Sequence, residues 1–249
     1  MSSRVLITGA RGNLGRGLVA AFDENGWRVA SANRSNPTRA SQTELAEQHI
    51  DLDLTQDAQI EQATAQFFDA CEEGDRVALV ANASNREALA TDWTDLSRET
   101  LHALFDVDVA GHFLLARAFA RGASQRRCGA TILFVGSIYG SGGVHSAIYP
   151  EGMRPTPVQY CVVKAAVVGL TKDLAGRLGP SGITVNCLVP GGIEGDQPEA
   201  FVRDFSALTQ LGRMATASEV AAVAEMLCRA QSAYVTGQVI HVDGGWSAW

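Results

Sequence analysis

The sequence predicts a doubly wound α/β sandwich on a parallel sheet of about seven strands, and two observations predict it. Apolar runs rich in β-branched residues at 5–7, 29–32, 77–80, 132–135, 183–189 and 239–242 are separated by longer segments of helical periodicity. The runs are continuously apolar rather than alternating, the pattern of strands covered on both faces, and their alternation with helices implies right-handed β-α-β crossovers. A further short strand is expected at 49–54. The 249 residues suffice to bury one α/β core, and no linker, charge block, repeat or low-complexity tract divides them, so residues 1–249 read as a single domain.

The first run leads into Thr8-Gly9-Ala10-Arg11-Gly12-Asn13-Leu14-Gly15, a glycine-rich turn that opens a helix ending near Gly26. Farther on, Thr156-Pro157-Val158-Gln159 combines an N-cap threonine, proline at the first helical position and glutamine at the third, and Gly179-Pro180 supplies a stop, predicting one helix over 157–178. Thr216-Ala217-Ser218-Glu219 repeats the capping box before a helix at 220–229. Two segments, 141–154 and 194–210, lack clear periodicity. Both follow predicted strands, where open α/β sheets bind their ligands.

Composition narrows the function classes. With 46% apolar and 19% charged residues the chain is an ordinary globular protein, and its net charge of -7 disfavours phosphate backbones and anionic lipid surfaces as partners. Cys71, Cys128, Cys161, Cys187 and Cys228 are odd in number and form no C-x-x-C, which reads as reduced thiols in a cytoplasmic protein. The histidines are scattered without ligand spacing, so no metal is expected. Neither a signal peptide nor a membrane-spanning segment is read.

The chemistry is expected in three places. Glycines at 9, 12 and 15 allow a tight turn and close approach of backbone N–H groups to a pyrophosphate at a helix N-terminus. The spacing is G-x-x-G-x-x-G rather than G-x-G-x-x-G, and a ligand-free turn would read the same way. Tyr160 and Lys164 lie four residues apart and so on one face of the long helix; the chain has only four tyrosines and two lysines, which makes the pairing a poor coincidence. Ser137 ends the preceding strand.

With these residues in place the chain resembles the short-chain dehydrogenase/reductases from end to end. The matches are the loop at 8–15, Asn82-Ala83, the Ser137, Tyr160 and Lys164 set, Pro190-Gly191, Tyr234-Val-Thr-Gly237 and Val242-Asp-Gly-Gly-Trp246. The stretch Ser137-Ile-Tyr-Gly140, the long segment before Tyr160, and Pro190-Gly-Gly-Ile193 with Asp196-Gln197-Pro198-Glu199 resemble a bacterial branch associated with sugar and nonulosonate modification. The resemblance implies a Rossmann-like fold and a nicotinamide cofactor touching Gly9, Arg11, Gly12, Asn13, Leu14, Gly15, Asn33, Arg34, Asp53, Leu54, Asn82, Ala83, Tyr160, Lys164, Pro190, Gly191 and Ile193. For Asn82, support of the central strands is as good a reading as direct contact, and Asp51 replaces Asp53 if the register slips. Tyr160 is then the acid/base, Ser137 holds the reacting oxygen, and Lys164 favours the phenolate and binds the nicotinamide ribose.

Three departures accompany the likeness. Asp108, in Val107-Asp108-Val109-Ala110-Gly111, stands where the family carries a fourth catalytic residue, asparagine; it either alters the proton relay or is a helix residue whose charge stabilises Lys164. The 23-residue interval from Ser137 to Tyr160 is long for the family, so 141–154 reads as a substrate-facing loop or an inert surface insertion. The glycine spacing resembles a branch containing epimerases and dehydratases, but the added C-terminal substrate domain typical there is missing.

The second strand ends Ala32-Asn33-Arg34-Ser35 with no carboxylate for ribose hydroxyls, which favours NADP(H) over NAD(H), with Arg34 and Arg11 on the 2′-phosphate. Residues 141–154 and 194–210 are expected to form a polar lid. Ser137, Tyr139, His145, Tyr149 and Arg154 would bind a hydroxylated, sugar-like or anionic small molecule, unless Arg154 simply pairs with Glu151. The reaction expected is interconversion of a carbonyl and a secondary alcohol; the alternatives are a nucleotide-sugar epimerase or dehydratase and a catalytically silent NADP(H) sensor. Aromatic residues near the C-terminus, including Trp246 and Trp249, would be exposed on a monomer, so a homotetramer is expected.

Overall fold

Seven parallel strands, β1 (Ser3–Thr8), β2 (Arg28–Asn33), β3 (Gln48–Asp51), β4 (Arg76–Ala81), β5 (Gly129–Val135), β6 (Ile183–Pro190) and β7 (Val239–Val242), form one sheet in the order β3-β2-β1-β4-β5-β6-β7. The computed structural model that shows them describes residues 2–34 and 46–249, so Ser35 lies outside the described residues. The innermost strands are apolar on both faces because both faces are covered. Val5 pairs with Val29 on one side and Ala78 on the other, and Leu79 with Ile132, all buried.

Helices α1 (Asn13–Glu24) and α7 (Ala217–Cys228) cover one face through Leu18, Val19, Phe22, Val220 and Ala224. Helices α2 (Asp57–Asp69), α4 (His112–Gln125) and α5 (Val158–Leu178) cover the other through Phe67, Phe119 and Val167. Each fully buried phenylalanine contributes roughly 1.5–3 kcal/mol of transfer free energy. Helix α3 (Arg98–Phe105) runs into α4 through a π-helical turn, Asp106–Gly111, and a short α6 (Glu199–Ser206) follows β6.

From β1 the chain moves outward to β2 and β3, then crosses back to β4 on the other side of β1. That reversal opens a crevice at the carboxyl ends of β1 and β4. Side chains lock its two rims together. Thr8 Oγ1 accepts from the backbone N–H groups of Asn82 and Ala83 at 3.0 Å each, and Asn82 Nδ2 donates to the carbonyls of Thr8 at 3.1 Å and Gly9 at 3.2 Å. Gly9 has φ +65°, and a Cβ there would meet Ala83 Cα at 2.9 Å, so only glycine lets the strands approach this closely.

Several sequence expectations are corrected. The capping box expected at 156–159 does not form: α5 begins at Val158 with Pro157 as its uncapped N-cap. The Thr156 hydroxyl is instead hydrogen-bonded to that of Tyr149 at 2.7 Å, and buried Gln159 donates to the carbonyls of Ala88 at 3.2 Å and Thr91 at 3.0 Å, so neither side chain reaches the helix N–H groups. The helix does stop at Leu178, and the left-handed residue after it is Gly182 rather than Gly179. The strand expected at 49–54 ends at Asp51, and the segment 194–210 contains α6. Trp246 is only partly exposed because its ring stacks on Phe205, whereas Trp249 is exposed as expected. Among the described residues no helix is long and apolar enough to cross a membrane.

The second capping box is present. Thr216 Oγ1 accepts from Glu219 N at 3.3 Å while Glu219 Oε2 accepts from Thr216 N at 2.9 Å, closing the start of α7. Thr216→Ala should cost about 1 kcal/mol, read as a lower denaturant midpoint with an unchanged m-value.

Candidate active site

The crevice continues into a single cleft of about 1220 Å³ that reaches from the glycine loop to α6. At its first end, α1 starts after Gly12 with no side-chain cap and no acidic residue in its first turn. A Cβ at Gly15 would lie 2.2 Å from Gly9 O, so the loop is a cradle that side chains cannot fill. An uncapped helix N-terminus beside such a cradle fits the pyrophosphate of a dinucleotide. Asn13 Nδ2 donates to Glu194 O at 2.7 Å, tying this loop to the chain after β6.

Gly9, Arg11, Gly12, Asn13, Leu14 and Gly15 all line the cleft, together with Asn33 and Arg34 at the end of β2, Asp53 and Leu54 after β3, and Asn82 and Ala83 after β4. Asp53, not Asp51, lies there; its Oδ1 accepts from Thr55 N and Oγ1. Arg11 Nη1 donates to Arg34 O at 3.2 Å, which brings the two guanidinium-bearing side chains to one rim. Arg34 has a loose, exposed partner in Glu87 at 3.8 Å, an arrangement worth little in water. Pro190, Gly191 and Ile193 line the cleft beyond β6.

The chemistry-bearing side chains meet at the end of β5. The strand runs through Val135 and Gly136 to Ser137, which caps a tight turn, Ile138–Gly140, by accepting from Tyr139 N at 3.2 Å. That turn rests on α5: a Cβ at Gly140 would meet the main-chain carbon of Lys164 at 2.6 Å. Tyr160 and Lys164 project from the facing side of α5 into the same cleft as Ser137. The buried Lys164 ammonium donates to Val135 O at 3.0 Å, lies 3.7 Å from Asp108 Oδ1 and sits 5.6 Å from the centre of the Tyr160 ring.

Asp108 itself does not line the cleft. It is fully buried in the π-helical turn, where its Oδ2 accepts from Asn85 N at 3.0 Å. Its Oδ1 is within ion-pairing distance of the Lys164 ammonium, the contact that the second of the two sequence readings calls for. One turn later, sequence reasoning missed His112, which is buried among Asp108, Lys164 and Phe134. Burial pushes its pKa down to about 4, opposed by the charge of Asp108 and reinforced by that of Lys164.

Of the side chains expected to bind substrate at the polar lid, the structure brings all but His145 to the cleft. His145 is exposed, precedes the short turn Ser146–Ile148 and is outside the cleft lining. Tyr139, Tyr149 and Arg154 do line the cleft. The hydroxyls of Tyr139 and Tyr149 bond each other at 3.0 Å, and Arg154 uses one N–H, on Nη1, to donate to Ala90 O at 3.0 Å. The described residues show no ion pair between Arg154 and Glu151. In the segment 194–210 the lining comes from Asp196, Gln197, Phe201 and Phe205, and Met153 and Met214 join them. The available signal was Phe201 and Phe205 at i and i+4, a stripe too short to stand out in sequence.

Comparison with known proteins decides the family. Residues 9–247 match the family described as Enoyl-(Acyl carrier protein) reductase. The chain belongs to the short-chain dehydrogenase/reductases. It is 30% identical to the 3-oxoacyl-acyl-carrier-protein reductase of Escherichia coli over 248 residues, 96% of this chain and 95% of that protein. A sorbitol dehydrogenase of Cereibacter sphaeroides is likewise 30% identical over 258 residues, with 96% and 95% covered. Among solved structures, a short-chain dehydrogenase of Leptospira borgpetersenii with bound NAD+ superposes with a TM-score of 0.85 at 30% identity, covering 99% of this chain and 93% of that one. The chain is thus a short-chain oxidoreductase of single-domain, seven-stranded type.

His112 gives the short-chain fold here a measurable acid sensitivity. A folded-state pKa near 4 against 6.5 unfolded means that the unfolded chain binds the extra proton between those values, so this contribution to stability is lost as pH falls from about 6.5 to about 4. His112→Leu should remove it: chemical denaturation of both proteins at several pH values should show the variant gaining on the wild type across that window.

Proposed function

We propose that the protein is an NADP(H)-dependent oxidoreductase that interconverts a carbonyl and a secondary alcohol, with Tyr160 as acid/base. The observation that carries this reading is the convergence of Tyr160, Lys164 and Ser137 on the cleft that begins at the glycine cradle. When bound, the nicotinamide cofactor supplies or accepts the hydride. The protein's own part is proton handling. As a phenol, Tyr160 gives its proton to the carbonyl oxygen in reduction; as a phenolate, it takes the proton of the alcohol in oxidation. Ser137 Oγ already accepts from Tyr139 N, which leaves its O–H to donate to the same oxygen. The Lys164 ammonium, fixed by Val135 O and Asp108, stabilises the negative charge on the Tyr160 oxygen when the proton is away.

Cofactor preference is read from charge. Arg11 and Arg34 share the rim at the end of β2 and no carboxylate stands on that strand's last residues, which suits a 2′-phosphate. The NAD+ bound to the Leptospira borgpetersenii relative favours the second reading, NAD(H). We further propose a cytoplasmic homotetramer. Val158 and Val162 on α5, and Met226, Tyr234 and Trp249 toward the C-terminus, are large apolar side chains exposed on one chain. The substrate we propose is a hydroxylated, sugar-like small molecule, a reading supported by Asp196, Gln197 and Arg154 in the cleft lining, the arginine having one N–H on Ala90 O.

Tyr160→Phe should lower turnover by about 10²- to 10⁴-fold while leaving cofactor affinity nearly unchanged, measured by steady-state kinetics and cofactor titration. Wild-type turnover in that variant would reject the mechanism. Arg34→Ala should weaken NADPH by about tenfold, the lower end for a charge-assisted contact because the arginine is exposed, and leave NADH untouched. Fluorescence titration with both cofactors checks it, and equal wild-type affinity for the two favours the NAD(H) reading.

A further inference from the structure

Two opposite charges are buried together beside Tyr160, and only one of them reaches the cleft. Lys164 lines it; Asp108, with no exposed surface, does not. The two stand 3.7 Å apart, too far for a hydrogen bond, and the ammonium donates instead to Val135 O at 3.0 Å. Asp108 Oδ2 accepts from Asn85 N at 3.0 Å, while Oδ1 accepts no hydrogen bond from the described residues. What Asp108 supplies to Lys164 is therefore charge.

The other buried titratable groups around the pair are neutral near pH 7. His112, one turn on from Asp108, is neutral because burial pushes its pKa down to about 4. Cys187 on β6, which feels the charge of Lys164, is neutral because burial pushes its thiol up to about 11. Burial likewise raises Cys161, next to Tyr160, and Tyr139, whose hydroxyl bonds that of Tyr149. The charges on the packed elements are exposed, so water and salt screen them: Arg98, Glu99 and His102 on α3, Asp106 in the π-helical turn, and Arg117 and Arg121 on α4. Around the cleft, Arg86, Arg154 and Asp196 are exposed as well, and Arg11, Arg34 and Asp53 belong to the glycine-cradle end.

We propose that Asp108 is a positioning residue that acts through Lys164: its buried negative charge opposes the ammonium's stabilisation of a Tyr160 phenolate, and so sets how far toward acid the protein can oxidise an alcohol. A lone opposite charge within reach favours the charged form of a side chain by about 1–3 pH units. A carboxylate 3.7 Å from the ammonium turns that lone charge into one end of a dipole, whose field falls off faster with distance. The ammonium lies 5.6 Å from the centre of the Tyr160 ring, a longer span than the one separating the two charges, so the ring feels both. Oxidation uses the phenolate and reduction the phenol, so the charge at residue 108 moves oxidation to higher pH and extends reduction in the same direction. The inference rests on the reading of Tyr160 as the acid/base of this cleft.

The test titrates the full chain by its ultraviolet phenolate absorbance, with the signal of Tyr160 isolated by subtracting the curve of Tyr160→Phe. Asp108→Asn, which keeps an oxygen for Asn85 N, should move the Tyr160 midpoint toward acid by about one pH unit. Oxidation of sorbitol with NADP+ should follow, the midpoint of its kcat profile moving in the same direction by the same amount. Asp108→Asn combined with Lys164→Met removes both charges at once and leaves no unpaired charge buried. In that double variant the absorbance midpoint should return to within about half a pH unit of the wild type. An unmoved or alkaline-shifted midpoint in Asp108→Asn, or a rise of about one pH unit or more in the double variant, would overturn the proposal. The double variant decides alone where Asp108→Asn does not fold, and the absorbance decides with or without turnover of sorbitol. A midpoint that moves in absorbance while the oxidation profile stays put would reject Tyr160 as the acid/base and leave the opposition of Asp108 to Lys164 standing.

Discussion

The burial of one ammonium group organises the end of the cleft where Ser137, Tyr160 and Lys164 meet. Lys164 is almost entirely removed from water, and an unpaired charge in that position would cost several kcal/mol. It is tolerated because β5 supplies the Val135 carbonyl and the π-helical turn supplies the Asp108 carboxylate, so three elements must arrive at one point. The turn is itself positioned from the other side. A Cβ at Gly111 would meet Leu54 O at 2.6 Å, so the ion pair and the loop after β3 are in direct mechanical register. Widening the helix at Asp106–Gly111 sets Asp108 inward, in keeping with the frequent use of π turns at functional sites.

The other half of the cleft is built differently. Backbone dominates there: a helix terminus without a side-chain cap, glycines packed against carbonyl oxygens, and a threonine hydroxyl holding two neighbouring N–H groups. Charged side chains, among them Arg11, Arg34 and Asp53, join this backbone frame. This division suits a site in which one part of the ligand set is recognised by shape and dipoles while the reacting part needs titratable groups of fixed orientation.

What could be read from the sequence follows the same division. The strands were legible because burial on both faces leaves them largely apolar, and the glycine loop because its chemistry is local. Tyr160 and Lys164 were legible because a four-residue spacing on a helix places them on one face. The substrate end was not. Composition marked 141–154 as polar, but polarity does not tell which side chains reach the cleft: Arg154 lines it and His145 does not. Helix α6 spans only eight residues, so two phenylalanines were its whole signal. The capping box at Thr156 failed for a tertiary reason, since Tyr149 captures the hydroxyl that the local pattern assigns to the helix.

The contact between Gly140 and the main chain of Lys164 has a consequence for how such a protein diverges. Because the turn after Ser137 rests on helix backbone rather than on a side chain, the juxtaposition of Ser137 with α5 does not depend on which residues fill the excursion between them. Residues 141–154 behave as an exchangeable cassette whose ends are clamped before its interior is chosen. Changes of length or composition within it leave Ser137, Tyr160 and Lys164 in alignment, and position 140 is where that freedom stops.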